Sequence, residues 1–180
     1  FKHYLHLFNY CKKKNIEFQS TPFDVDSLKI LEKLGVNTYK IASCDITNFL
    51  LLERIARTRK PIFLSTGAAN LNEVKDAVKL ILKFNKKIVI MHCILCYPTK
   101  MQDANLKSIT LLKKQFPKIP IGFSDHTLGT LAPTIASSLG ASVIEKHFTI
   151  NKKLKKSADH WLSVDEKELS QISFNIKSVN

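Results

Sequence analysis

No apolar stretch in this sequence approaches the roughly 18 residues that a membrane-spanning helix requires. The longest, Ile88 to Cys96, already contains His92, so no transmembrane segment and no membrane partner is expected. The opening Phe1-Lys-His-Tyr-Leu-His-Leu-Phe8 lacks both the clean apolar core and the small-residue cleavage site of a signal peptide. With Phe rather than Met at position 1 it reads as a piece of something longer. Four cysteines, at 11, 44, 93 and 96, lack the spacing of a secreted disulfide framework, which points to a reducing cytoplasm. No turn carries G-x-G-x-x-G or G-x-x-x-x-G-K, which argues against a dinucleotide fold or a P-loop. Acidic residues are scarce: 15 Asp and Glu against 28 Lys and Arg leave a net charge of +13. Such a charge can serve a nucleic-acid backbone. Here the lysines are scattered, as in Lys12-Lys13-Lys14, Lys86-Lys87 and Lys113-Lys114. Solvated faces and an anionic small substrate are the better reading, with no nucleic-acid partner.

What is present suits one globular domain over residues 1–180, with 44% hydrophobic and 24% charged residues. Short apolar or β-branched runs begin near Ile16, Thr38, Pro61, Ile88, Ile119 and Ser142, separated by segments of helical spacing. Six βα units are therefore expected. In the clearest helix, Leu71 to Phe84, residues Val74, Ala77, Val78, Ile81 and Phe84 share one face, and Asn70 with Glu73 supplies a capping box. Ser163 with Glu166 reads as a second capping box, opening the last helix. Gly35 and Gly140 stand where left-handed helix caps are expected. Ile62-Phe-Leu and Ile88-Val-Ile-Met show no polar alternation, as parallel strands covered on both faces should. At roughly 25 residues per unit, a closed eight-unit barrel needs about 200 to 250. The expectation is an α/β fold, a (β/α)8 TIM barrel present as a fragment covering about strands 3 to 8.

In such a barrel, chemistry gathers at the carboxyl ends of the strands. The polar groups there are Gln19-Ser20-Thr21, Lys40 with Ser43, Ser65-Thr66-Gly67, His92-Cys93, Ser124-Asp125-His126 and Glu145-Lys146-His147. Lys40 lies within an apolar strand, where an unpaired ammonium is costly. It either snorkels to the rim or meets an anion, for which Thr21, Ser43, Ser65 and Ser124 offer hydroxyl donors. His126 and His147 each follow an apolar run, 21 residues apart. A lone histidine there is commonly structural, but two on neighbouring strands suit a divalent metal with positions left open for substrate. Few protein ligands and oxygen-rich substrates favour manganese or magnesium. Alternation places Glu145 and His147 on one side of their strand and Lys146 on the other. Cys93-Ile-Leu-Cys96 has no second C-x-x-C to complete a zinc set and reads as a structural thiol pair.

The strings Ser20-Thr-Pro-Phe-Asp24, Tyr39-Lys-Ile-Ala-Ser43, Leu64-Ser-Thr-Gly67, His92-Cys, Tyr97-Pro98, Phe123-Ser-Asp-His-Thr-Leu-Gly129 and Ile144-Glu-Lys-His-Phe-Thr149, in that order, resemble the sialic acid synthases. These are the N-acetylneuraminate synthases with their legionaminic and pseudaminic acid relatives, and the resemblance runs from about Phe18 to Leu169. It implies condensation of phosphoenolpyruvate with an N-acetylated amino sugar, typically N-acetylmannosamine, with release of phosphate. His126 and His147 would hold Mn2+ or Mg2+. Lys40, Thr21, Ser43, Ser65 and Ser124 would grip phosphoenolpyruvate, and Asp45, Tyr97 and Asp159 would contact the sugar or assist proton transfer. The catalytic set implied is Lys40, Asp45, His126 and His147. Cys44, where many members carry Gly, and Leu95, where some carry a polar donor, depart from the pattern. The resemblance also implies a homodimer of the full-length parent and a C-terminal antifreeze-like domain absent here. The alternative is a barrel fragment that has lost catalysis and serves as a binding or assembly module.

Overall fold

The computed structural model describes residues 1–179, which fall into two compact units: 1–65 with 69–89, and 66–68 with the chain from Ile90 onward. The first unit contains α1 (Lys2–Lys13), α2 (Val25–Leu34), β1 (Tyr39–Ile41), α3 (Phe49–Arg57), β2 (Ile62–Ser65) and α4 (Leu71–Leu82). A single turn of 3-10 helix, Ser43–Asp45, follows β1. Strand β1 pairs with β2 in parallel, with Tyr39 opposite Ile62, Lys40 opposite Phe63 and Ile41 opposite Leu64. Helix α4 begins as its sequence implies. Asn70 accepts from the Asn72 and Glu73 amides, and Glu73 accepts from the Asn70 amide at 2.8 Å. Its Val74, Ala77, Val78 and Ile81 are buried, the larger aliphatics contributing about 1.5–3 kcal/mol each. Phe84 lies two residues past the helix, half-buried, with the Arg57 guanidinium 4.1 Å from its ring centre.

One expected strand is missing. The segment around Ile16 forms no strand, so the described residues hold five strands rather than six. The Ile16 amide is consumed by the Cys11 carbonyl at the close of α1, and Asn15 is left-handed at φ 55°. Beyond it the segment is tied to the start of β1 through side chains: Gln19 Nε2 donates to Thr38 Oγ1 at 3.0 Å, and Thr38 Oγ1 donates to Glu17 Oε1 at 3.1 Å.

The second unit holds most of β3 (Ile88–Cys93), then α5 (Ser108–Gln115), β4 (Ile121–Asp125), α6 (Leu131–Ser138), β5 (Val143–Lys146) and α7 (Glu166–Val179). The three strands are parallel and in register, with His92 opposite Phe123, Phe123 opposite Ile144, and Asp125 opposite Lys146. The two-residue period therefore puts His92, Phe123, Asp125, Ile144 and Lys146 on one face, and Cys93, Gly122, Ser124 and Glu145 on the other. Gly122 is required by the close approach of its neighbours: a Cβ there would lie 2.4 Å from the Met91 sulfur and 2.9 Å from the Val143 carbonyl. Helix α7 opens two residues later than expected. The capping box is Asp165 with Glu168, at 3.0 and 3.1 Å. Ser163 is unavailable because its hydroxyl donates to the Asp159 carbonyl at 2.7 Å, and Val164 bridges Phe148. Parallel strands alternating with helices give the α/β, partial (β/α)8 barrel anticipated from the sequence. Among the described residues no helix is long and apolar enough to cross a membrane.

Candidate functional site

The carboxyl ends of β4 and β5 form a cleft of about 120 Å³ lined by Ser124, Asp125, His126, Glu145, Lys146 and His147. His126 and His147 each stand one residue beyond their strand, and their ring centres are 5.5 Å apart. Tyr97 packs on both: its ring centre lies 3.9 Å from that of His126 and 5.6 Å, edge to face, from that of His147. The loop after β3 fixes His126. The imidazole Nδ1 lies 2.8 Å from the Ile94 carbonyl, and Thr99 N–H donates to the His126 carbonyl at 2.9 Å. A carbonyl can only accept, so Nδ1 carries the proton and Nε2 keeps its lone pair when the ring is neutral. Burial holds the His126 pKa below its ordinary 6.5, the Ile94 hydrogen bond opposing this and the neighbouring His147 adding to it. The neutral, metal-ligating form is thus favoured at neutral pH.

His147 is anchored differently. Its carbonyl accepts from the Val164 amide and Thr149 N–H donates to the Val164 carbonyl, both at 2.9 Å, which closes the loop 149–164. Within that loop His160 Nδ1 sits 2.8 Å from Thr149 Oγ1. The Asp159 carboxylate stands 4.0 Å from His147 Nδ1, too far for a direct hydrogen bond but near enough to share a ligand with it. Ser124 is buried in the cleft, and its register partner Glu145 is exposed.

Two imidazoles at this separation fit a shared divalent cation, one ring nitrogen each at about 2.1 Å. No group of three or more His, Cys, Asp and Glu is arranged to hold a metal among the described residues. Further ligands would be oxygens from substrate or water, the open coordination that Lewis-acid chemistry needs.

Two of the lining residues form a feature the sequence did not disclose. Lys146 Nζ and Asp125 Oδ2 form an ion pair at 2.6 Å whose side chains are 4% and 0% exposed. Asp125 Oδ1 also accepts from Thr127 N–H at 2.7 Å, and Lys146 donates to the Thr127 carbonyl. The pairing depends on the register of β4 with β5; only the alternation that turns Lys146 away from Glu145 and His147 was readable beforehand. His92 belongs to the same face. It stacks on Phe123 with ring centres 5.7 Å apart, and its Nε2 lies 2.9 Å from the Ala104 carbonyl. Burial lowers its pKa, with the Ala104 hydrogen bond opposing. His92 is a core residue and stands apart from the His126 and His147 pair. Cys93 is buried and Cys96 exposed, and neither forms a disulfide, nor do Cys11 and Cys44.

The remaining candidates lie in the first unit. Lys40 sits mid-strand in β1, half-buried between the fully buried Tyr39 and Ile41. The following turn places buried Ser43 and half-buried Asp45 close by, with Asn48 Nδ2 donating to Asp45 at 3.4 Å. Burial pushes the Cys44 thiol pKa up, Asp45 adds to that, and the positive charge of Lys40 works against it. Ser65, at the end of β2, is 2% exposed, and its hydroxyl has no hydrogen-bond partner among the described residues. A buried hydroxyl left unsatisfied costs roughly 1–3 kcal/mol, which an incoming acceptor would recover. Thr21 is half-buried just before α2, and Leu95, in the second unit, is exposed.

The chain matches the NeuB family over residues 1–180, and it belongs to that family. It is similar to an uncharacterized protein of Methanocaldococcus jannaschii, 47% identical over 94% of this chain and 50% of that protein. It is likewise similar to an N,N'-diacetyllegionaminic acid synthase of Campylobacter jejuni, 42% identical over 94% of this chain and 51% of that enzyme. Among solved structures, an N-acetylneuraminic acid synthetase from Leptospira borgpetersenii in complex with citrate superposes with a TM-score of 0.94 at 39% identity. That match covers 99% of this chain and 62% of the other. The chain spans about half the length of the curated relatives it matches.

Proposed function

We propose that this chain is catalytic-barrel sequence of a nonulosonic acid synthase. The reaction joins C3 of phosphoenolpyruvate to the aldehyde carbon of an open-chain N-acetylated amino sugar, N-acetylmannosamine or a relative, with water consumed and inorganic phosphate released. The single observation that carries the reading is the pair of imidazoles, His126 and His147, presented side by side from adjacent strand ends with ring centres 5.5 Å apart. A bound Mn2+ or Mg2+ would supply Lewis-acid polarisation of the sugar aldehyde. His126, oriented by the Ile94 carbonyl, offers Nε2 as a ligand, and His147 offers the second nitrogen. Tyr97 packs against both rings. Lys40, with the hydroxyls of Thr21, Ser43, Ser65 and Ser124, binds the phosphate and carboxylate of phosphoenolpyruvate through charge-assisted hydrogen bonds. Asp45 and Asp159 hold the sugar or move its hydroxyl proton. The excess of lysine over acid suits two anionic groups on one substrate. Four cysteines outside any disulfide accord with a cytoplasmic enzyme, and a homodimer is the proposed assembly of the full-length protein.

The test is phosphate release from phosphoenolpyruvate by the full-length protein, with Mn2+ and a panel of N-acetylated amino sugars. Release that requires both the sugar and the metal is expected. Absence of release with every sugar in the panel would overturn the assignment.

A further inference from the structure

We infer that the buried Asp125–Lys146 ion pair is a positioning clasp that sets His126 and His147 at the spacing a shared cation requires, an inference that rests on the function proposed above. The backbone ladder between β4 and β5 ends at the rung formed by Asp125 and Lys146. Both histidines lie one residue beyond it, where no ladder hydrogen bond joins the two strands. The hydrogen bonds that hold each histidine run to different loops, His126 to Ile94 and Thr99, His147 to Val164, while Tyr97 packs on both rings. None of these hydrogen bonds fixes one strand end relative to the other.

The clasp does so from the opposite face of the sheet. Lys146 Nζ donates across the strands to Asp125 Oδ2 at 2.6 Å and to the Thr127 carbonyl, while Asp125 Oδ1 accepts from Thr127 N–H at 2.7 Å. Lys146 thereby grips the chain on both sides of His126, at residues 125 and 127, from the residue that immediately precedes His147. Alternation sends the side chains of residues 125 and 146 to one face of the strands and those of 126 and 147 to the other, and all four residues line the cleft. Locking the terminal rung therefore fixes the direction in which both histidine Cα–Cβ bonds leave the backbone. Two charges at 0% and 4% exposure are a costly way to fill space that well-packed apolar residues could fill as stably. Neighbours on that face, Phe123 and Ile144, are apolar. What the ion pair adds over an apolar pair is direction and register at the place where the ladder stops.

The test is Mn2+ binding by calorimetry, with thermal unfolding in parallel, on the full-length protein and on two variants. Lys146→Met breaks the pair and strands the Asp125 charge. Asp125→Asn with Lys146→Met removes both charges while Asn Oδ1 can still accept from Thr127 N–H. Lys146→Met is expected to melt lower and to bind Mn2+ about 10- to 100-fold more weakly. The double variant is expected to regain melting temperature yet keep the weakened affinity, a separation that a purely structural pair would not produce. Should Lys146→Met fail to fold, the double variant alone decides the matter. Wild-type Mn2+ affinity in the double variant would overturn the clasp while leaving the function proposed above intact. No Mn2+ binding by the wild type would overturn the cation reading and the clasp with it.

Discussion

The strand ends of the two units carry the same kind of polar residues and hold them in different ways. In the second unit the histidine pair is tied down by the protein itself: His126 by the Ile94 carbonyl, both imidazoles by packing against Tyr97, and the strand ends by Asp125 and Lys146. In the first unit the Ser65 hydroxyl is buried without a partner among the described residues, and Lys40 sits half-buried in a strand. A fixed pair of neutral imidazoles suits a cation whose geometry must not vary. The Ser65 hydroxyl, with unspent hydrogen-bonding capacity, suits an anion that supplies the missing acceptor when it arrives.

Substitutions can break this contrast, beginning with the largest effect. His126→Ala or His147→Ala should cost about 10³-fold or more in kcat, with an unchanged circular dichroism spectrum. Normal turnover at limiting metal would remove both from the ligand set. Lys40→Met should lower kcat/KM for phosphoenolpyruvate by about 10²-fold, roughly 2.7 kcal/mol, with Mn2+ affinity unaltered. An equal loss of metal binding would mean that the two groups of residues do not divide the work as described.

A third experiment probes pH. Burial depresses the folded-state pKa of His92 below the ordinary 6.5, so the folded state binds fewer protons than the unfolded one in that range. The stability this contributes is complete above about pH 6.5 and is lost as pH falls through the depressed value. Urea midpoints should therefore drop on acidification below pH 6.5, and His92→Phe should flatten part of that slope. An unchanged slope would contradict the placement of His92 in the core. The smallest effect is expected from Ser65→Ala. Deleting a hydroxyl with no partner should leave the melting temperature within a degree or two or raise it, while KM for phosphoenolpyruvate rises by about 3- to 10-fold. A fall in stability with unchanged KM would show that Ser65 is a structural hydroxyl.

Local signals were legible wherever they are self-contained in sequence. The Asn70 and Glu73 box, the apolar face of α4 and the alternation that sets Lys146 against His147 each need only neighbours along the chain. Ile16 misled because a β-branched run is only a strand if something pairs with it, and its amide was already spent on closing α1. The Ser163 box had the right residue types, yet Asp165 and Glu168 offered the same chemistry two residues later, and tertiary contacts to Asp159 and Phe148 chose between them. The Asp125–Lys146 pair and the Ile94 hold on His126 are set by strand register and loop path, which no spacing within the sequence encodes.

The proposed function requires that His126 and His147 hold one divalent ion between them. Anomalous diffraction from Mn2+-soaked crystals of the full-length protein addresses it most directly. A single manganese peak bonded to a ring nitrogen of each histidine is the predicted result. Manganese seated elsewhere, or bonded to one ring while the other turns away, would contradict it.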